Sequence, residues 1–138
     1  MASEQTAGLD DHRFEMTLPN TPAGAALARR QVMRFVEHVC VDRAFISDLE
    51  TAVGEALANA AEHGHRPDGR LHVQARLTGD GIEVEVTDDG RGFAPRLCAV
   101  EHPPALAPRG YGLFLIRAMV DEIEFRDNGR TVWFRKCF

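Results

Sequence analysis

Three short segments carry residue types that could do chemistry together. In Glu55-Ala56-Leu57-Ala58-Asn59, with His63 four residues further on, a carboxylate, an amide and an imidazole recur at i, i+4 and i+8. That spacing sets them along one side of a helix. Asp88-Asp89-Gly90-Arg91-Gly92 joins acidic residues to two glycines, and Gly110-Tyr111-Gly112-Leu113 heads an apolar stretch. Together they offer a metal ligand and a proton acceptor on a helix, a carboxylate that can accept from a nucleobase amine, and a glycine-rich loop that can face phosphate.

The elements that must position these groups follow from periodicity. Residues 1 to 11 are polar and aperiodic and read as a disordered tail, leaving 12 to 138 as a single domain. Phe14, Met16 and Leu18 alternate as a half-buried strand. Thr21-Pro22 predicts a helix N-cap with proline in the first turn, and Ala28, Val32, Phe35, Val36 and Val39 form its apolar stripe to about Cys40. Ser47-Asp48-Leu49-Glu50 predicts a capping box opening a second helix, with Leu49, Val53, Leu57 and Ala60 as its stripe and Gly64 as its stop. Leu71, Val73, Ala75 and Leu77, a Gly79-Asp80-Gly81 turn, then Ile82, Val84 and Val86 predict a hairpin. Residues 90 to 109 hold four prolines and no period, which suits a long functional loop. A helix from about Gly110 to Asp121, a strand at Ile123 and Phe125, an Asn128-Gly129 turn and a strand at Val132 and Phe134 complete the chain. The fold expected is a two-layer α+β sandwich: a five-stranded, mostly antiparallel sheet with three helices on one face.

Each segment also has a plain structural reading. The side of the helix bearing Glu55, Asn59 and His63 lies opposite the apolar stripe, at about 100° per residue, and such a side is ordinarily solvated. Against that, Ala52, Ala56 and Ala60 edge it with small side chains. Gly54 also sits mid-helix at a cost of up to about 1 kcal/mol relative to alanine, which hints at a close neighbour. Asp88 shares the parity of Val84 and Val86 and so points to the buried face. A carboxylate there needs a partner, which can be a backbone amide, a water or the exocyclic amine of adenine. An acidic strand-end turn is the plain alternative. Gly110 and Gly112 could present free N–H groups and a positive helix end to an anion, with Arg109, Arg91 and Arg96 in the same loop. An ordinary glycine-rich helix start is the alternative. The Rossmann fingerprint, the lysine P-loop and a locally supported Ser-His-Asp arrangement are absent.

Composition narrows the partners. A formal net charge of −5 disfavours direct nucleic-acid binding. No apolar run reaches the roughly 18 residues of a membrane helix. Cys40, Cys98 and Cys137 form neither a disulfide framework nor a zinc site, so a reducing cytoplasm is expected.

Taken in order, Glu-Xaa-Xaa-Xaa-Asn on a helix, Asp-Xaa-Gly-Xaa-Gly after a strand and Gly-Xaa-Gly opening a helix resemble the GHKL (Bergerat-fold) ATPases. Within them, the stretches 53–64 and 110–122 look most like the anti-sigma-factor serine/threonine protein kinases. The resemblance implies that the cofactors are ATP and Mg2+. It casts Asn59 as the Mg2+ ligand, Glu55 as general base, and Asp88 as the reader of adenine beside Gly90 and Gly92. His63 joins the nucleotide-facing set. Residues 93 to 109 would be the ATP lid, with Arg109 near the terminal phosphate, and Gly110, Gly112 and Leu113 the phosphate-facing backbone. The family's substrate is a Ser or Thr of an anti-anti-sigma (STAS-domain) protein. Its second partner is a sigma factor, which it sequesters, often as a homodimer. The alternative is a nucleotide-gated binding module without phosphotransfer. The first strand and first helix, with Arg29 and Arg30, offer either a partner surface or a solvated face.

Overall fold

The computed structural model describes residues 6–9, 12–63, 68–90 and 111–138. In chain order these form β1 (Thr6–Leu9), β2 (Arg13–Pro19), α1 (Pro22–Val39), α2 (Arg43–His63), β3 (Arg70–Leu77), β4 (Gly81–Asp88), α3 (Tyr111–Met119), β5 (Glu122–Arg126) and β6 (Thr131–Cys137). The strands make one sheet in the order β1-β2-β3-β4-β6-β5, with every neighbouring pair antiparallel.

The register explains the layers. Phe14, Ala75, Val84, Phe134 and Ile123 align in one row across the sheet, and Met16, Val73, Val86, Val132 and Phe125 in the next. These rows face the helices. Val32, Phe35 and Val36 of α1, Leu49, Val53 and Leu57 of α2, and Leu113 and Ile116 of α3 join them in one buried core. The opposite face carries Glu15, Thr17, His72, Gln74, Glu83, Glu85 and Trp133, all half-buried. The expected two-layer sandwich is thus present, with all five expected strands and three helices.

Two expectations are corrected. Thr6–Leu9 is not part of a disordered tail but a sixth strand, paired from Thr6 opposite Thr17 to Leu9 opposite Phe14. Four residues are too few to show a period. What selects the strand is the edge of β2, whose backbone groups it satisfies. Residues 1–5 and 10–11 of the expected tail lie outside the described residues. The second helix begins at Arg43, not Ser47. Asp42 is its cap, with Oδ1 accepting from the N–H groups of Ala44 at 3.0 Å and Phe45 at 3.2 Å, and buried Phe45 ties this extra turn to the core. Ser47 is interior to the helix, and its carbonyl accepts from the Thr51 hydroxyl.

The start of α1 follows the sequence pattern. Thr21 Oγ1 accepts from Gly24 N–H at 3.0 Å, and Pro22 needs no donor there. The β5–β6 turn also forms where Asn128-Gly129 predicts one. Asp127, Asn128 and Gly129 in succession adopt positive φ, at 54°, 56° and 81°.

Candidate functional site

The directions of the helices decide what meets what. Leu18, Leu71 and Asp88 are neighbours in register at one end of the sheet. Just beyond, Asn20 N–H donates to Gly69 O, and Asn20 Nδ2 donates to Ala60 O in α2 at 3.1 Å. The Asn59–Ala60 part of α2 therefore lies at the Asp88 end. The first turns of α2 lie at the other end, where Phe45 and Asp48 meet Lys136 of β6. α3 also finishes there, with Met119 O accepting from Lys136 Nζ. So α2 runs toward the Asp88 end and α3 runs away from it. The head of α3, the second half of α2 and Asp88 converge on one end of the sandwich, and three segments far apart in sequence share one region.

Asp88 is 4% exposed, on the helix-facing side of β4 as its parity requires. Its carboxylate Oδ1 accepts from Gly90 N–H at 2.8 Å, and its own N–H donates to Arg130 O at 2.9 Å. Arg130, from the β5–β6 turn, donates Nε–H to Gly90 O at 2.6 Å and is held by Asp127 Oδ1 at 3.3 Å. Asp89 Oδ1 accepts from Arg70 N–H at 3.0 Å. The corner after β4 is thus pinned from β3 and from the turn before β6, which fixes the direction of the Asp88 carboxylate. Neither Arg130 nor Asn20 was identifiable as a site residue from sequence. Both act through tertiary register, and no local spacing marks them.

Glu55 and Asn59 are partly exposed on α2, away from buried Leu49, Val53, Leu57 and Ala60. The Asn59 amide oxygen is a hard donor of the kind Mg2+ takes alongside phosphate oxygens and water. The neighbour hinted at by Gly54 is Arg29 of α1. A Cβ built on Gly54 would lie 3.5 Å from the guanidinium carbon of Arg29, and Arg29 pairs with Glu50 at 3.7 Å. Leu113, at the head of α3, is buried. Gly112 belongs to the first turn of α3, where N–H groups have no intrahelical partner. His63 closes α2, and its side chain is outside the described residues. Gly92, Arg109, Gly110 and the lid expected over 93–109 lie outside them too. The donor set that is described fits a magnesium nucleotide: one fixed buried carboxylate, one amide oxygen and one helix head.

A groove of about 490 Å³ on the outer sheet face is a different feature. Its charges compensate one another, Arg76 with Glu83 at 2.9 Å and Arg126 with Glu85 at 3.1 Å. Trp133 there lies beneath the Arg126 guanidinium, 5.2 Å from the ring centre. No candidate residue from the three segments lines it.

Known proteins resemble this chain in sequence. The family described as histidine kinase-like ATPase domain matches over residues 18–136. The chain is similar to a serine-protein kinase RsbW of Oceanobacillus iheyensis, 28% identical over 125 residues that cover 83% of this chain and 79% of that one. It is similar to an anti-sigma F factor of Heyndrickxia coagulans, 31% identical over 121 residues, covering 80% and 82%. An anti-sigma F factor of Clostridium beijerinckii is 27% identical over 139 residues, covering 94% and 97%.

Proposed function

The chain belongs to the histidine kinase-like ATPase domain family, and from that premise we propose that it is an ATP-dependent serine/threonine protein kinase and anti-sigma factor. It phosphorylates a Ser or Thr of an anti-anti-sigma STAS-domain protein, sequesters a sigma factor, and works in the cytoplasm, as a homodimer where it assembles. The observation that carries this reading is the convergence of the second half of α2, Asp88 and the head of α3 on one end of the sandwich. The names of relatives, serine-protein kinase and anti-sigma F factor, support the class of reaction and of partner. Among the described residues no helix is long and apolar enough to cross a membrane.

Bound Mg-ATP supplies the phosphoryl group and most of the charge neutralisation that its transfer needs. The chain supplies position. Asp88, held by Gly90 and braced through Arg130, would accept a hydrogen bond from the adenine amine. Asn59 would hold Mg2+ through its side-chain oxygen. The backbone N–H groups of Gly110, Gly112 and Leu113 would face the phosphates at the positive end of α3, with Arg109 near the terminal one. The family resemblance adds Gly92 and His63 to the nucleotide-facing set. Glu55, one helical turn before Asn59, would take the proton from the substrate hydroxyl as that oxygen bonds to the γ-phosphorus and the bond from this phosphorus to the bridging oxygen breaks, releasing ADP. A base placed this way contributes about 10²- to 10⁴-fold.

The test is transfer of labelled γ-phosphate to a STAS partner. Glu55→Ala should lower transfer by about 10²- to 10⁴-fold while keeping Mg-ATP binding. Equal labelling by the variant and the unmutated protein would remove Glu55 from the role of base. Firm Mg-ATP binding with no STAS protein labelled would favour a nucleotide-gated binding module.

A further inference from the structure

The sixteen Lys and Arg side chains of this chain include a single lysine, Lys136. Its place is unusual for a cation. On β6 it follows Val132 and Phe134 in the register that faces the helices, and it pairs across the sheet with Ile82. Val132, Phe134 and Ile82 are buried, and the Lys136 side chain is only 16% exposed. A charge there must be satisfied locally.

Three groups satisfy it. Nζ donates to Met119 O, the carbonyl of the last residue of α3, at 2.7 Å. It lies 3.6 Å from Asp48 Oδ2 in α2. It also stands over the ring of Phe45, 5.4 Å from its centre, and that ring is backed by Phe138. A carbonyl, a carboxylate and an aromatic face in three directions suit a compact ammonium with three donors. A planar guanidinium fork does not match them. The last carbonyls of a helix lack intrahelical partners and carry its negative end, so the cation also answers a need of α3. On either side of Lys136 the backbone is sewn to the same spot. Asp121 N–H donates to Arg135 O at 2.9 Å, and Cys137 N–H donates to Asp121 Oδ2 at 2.7 Å.

We infer that Lys136 is a positioning residue for the nucleotide: it locks the C-terminal end of α3 to α2 and so sets where the head of α3 stands relative to Asn59. This rests on the nucleotide reading above. α3 has nine residues and spans only about 13 Å, a short rod whose far end moves with its pinned end. The helix that carries Glu55 and Asn59 is gripped at Asp48 by the same ammonium. Both helices that would flank the nucleotide are held at this end, so a clamp at the opposite end of the sandwich reaches nucleotide affinity without touching the ligand.

Being the only lysine, Lys136 is also its own reporter. Acylation by an amine-reactive ester, read at Lys136 by mass spectrometry, measures how often α3 leaves the clamp. In the unmutated protein the rate should fall well below that of Nα-acetyl-lysine amide and fall again with saturating Mg-ATP. Lys136→Met, Lys136→Arg and Asp48→Asn should each raise KM for ATP by about 2- to 30-fold, the range for a site that couples at a distance. The kcat should stay within a few-fold when measured below the unfolding transition of each variant. A purely structural lysine would lower the melting temperature and leave KM of the folded protein alone. Asp48→Asn and the acylation measurement keep the test alive should Lys136→Met fail to fold. Unchanged KM in Asp48→Asn and in every folded Lys136 variant, or acylation indifferent to Mg-ATP that demonstrably binds, overturns the clamp alone. Failure of the unmutated protein to bind millimolar Mg-ATP overturns the nucleotide reading and the clamp with it.

Discussion

Gly54→Ala adds one methyl group to the middle of α2, beside Glu55, and the structure fixes what should happen. A Cβ at Gly54 meets nothing nearer than the Arg29 guanidinium, at 3.5, 3.6 and 3.7 Å from three of its atoms, which is ordinary van der Waals contact. The Arg29–Glu50 pair, at 3.7 Å with both side chains about half exposed, contributes at most about 1 kcal/mol and keeps its place. Nothing then offsets the helix preference of alanine, so the variant should gain about 0.5–1 kcal/mol. For a chain of 138 residues that corresponds to a rise in melting temperature of roughly 2–3 °C. Urea unfolding checks it: the midpoint should rise with the slope unchanged. A destabilised Gly54→Ala would refute the reasoning, because it would mean that Arg29 already fills the notch. The second readout concerns function. A glycine kept at a cost to the helix, next to the proposed base, leaves the Arg29 guanidinium room to shift as a substrate chain docks, so STAS labelling should fall while stability rises. Undiminished labelling would show that the notch serves nothing in transfer.

Two further substitutions separate binding from folding. Asp88→Asn keeps an oxygen for Gly90 N–H at 2.8 Å, so stability should change by less than about 1 kcal/mol. Its amide nitrogen cannot accept from adenine, so the stabilisation of about 2.7 kcal/mol expected for the unmutated protein at 100 times Kd should be largely lost in a thermal shift at that concentration. A full shift in the variant would remove Asp88 as the reader of adenine. Gly81→Ala is a control on the fold: its Cβ would lie 2.2 Å from Lys136 O and 2.9 Å from Cys137 Cα, both backbone atoms in a paired strand. It should cost about 1–3 kcal/mol or more, and a neutral result in urea unfolding would contradict the β4–β6 register.

What was legible in the sequence had a local cause. β3 and β4 alternate strictly because one face meets helices and the other does not. Thr21-Pro22 caps α1 through its own hydroxyl. Gly54 announced a neighbour, although its spacing could not say that the neighbour was Arg29. The misses have non-local causes. The Ser47 pattern lost to Asp42 because Phe45 is buried against Lys136 and Phe138, which only the folded chain brings near. β1 exists because the edge of β2 is there to pair with it. In the candidate site, Glu55, Asn59 and Asp88 stood out by spacing and parity. Arg130, which braces Gly90 from the β5–β6 turn, and Asn20, which reaches Ala60, depend on contacts that no period encodes.

Lys136 is the instructive omission, since the parity rule that singled out Asp88 applies equally to β6. The two are charges in helix-facing registers of neighbouring strands. Asp88 closes β4, and Lys136 pairs with Ile82 near its beginning. Neither belongs in an apolar row unless something specific meets it. For Lys136 that something is intramolecular: the end of α3, the first turns of α2 and an aromatic face. For Asp88 it includes Gly90 N–H, at the end of the sandwich where Ala60 of α2 lies. Because α2 and α3 run in opposite directions across one sheet face, fixing them together at the Lys136 end constrains their separation at the Asp88 end. A ligand held between them there need not draw them together on binding. The clamp and the proposed nucleotide end are then two ends of a single device, and that division predicts that nucleotide affinity depends on a lysine the nucleotide never touches.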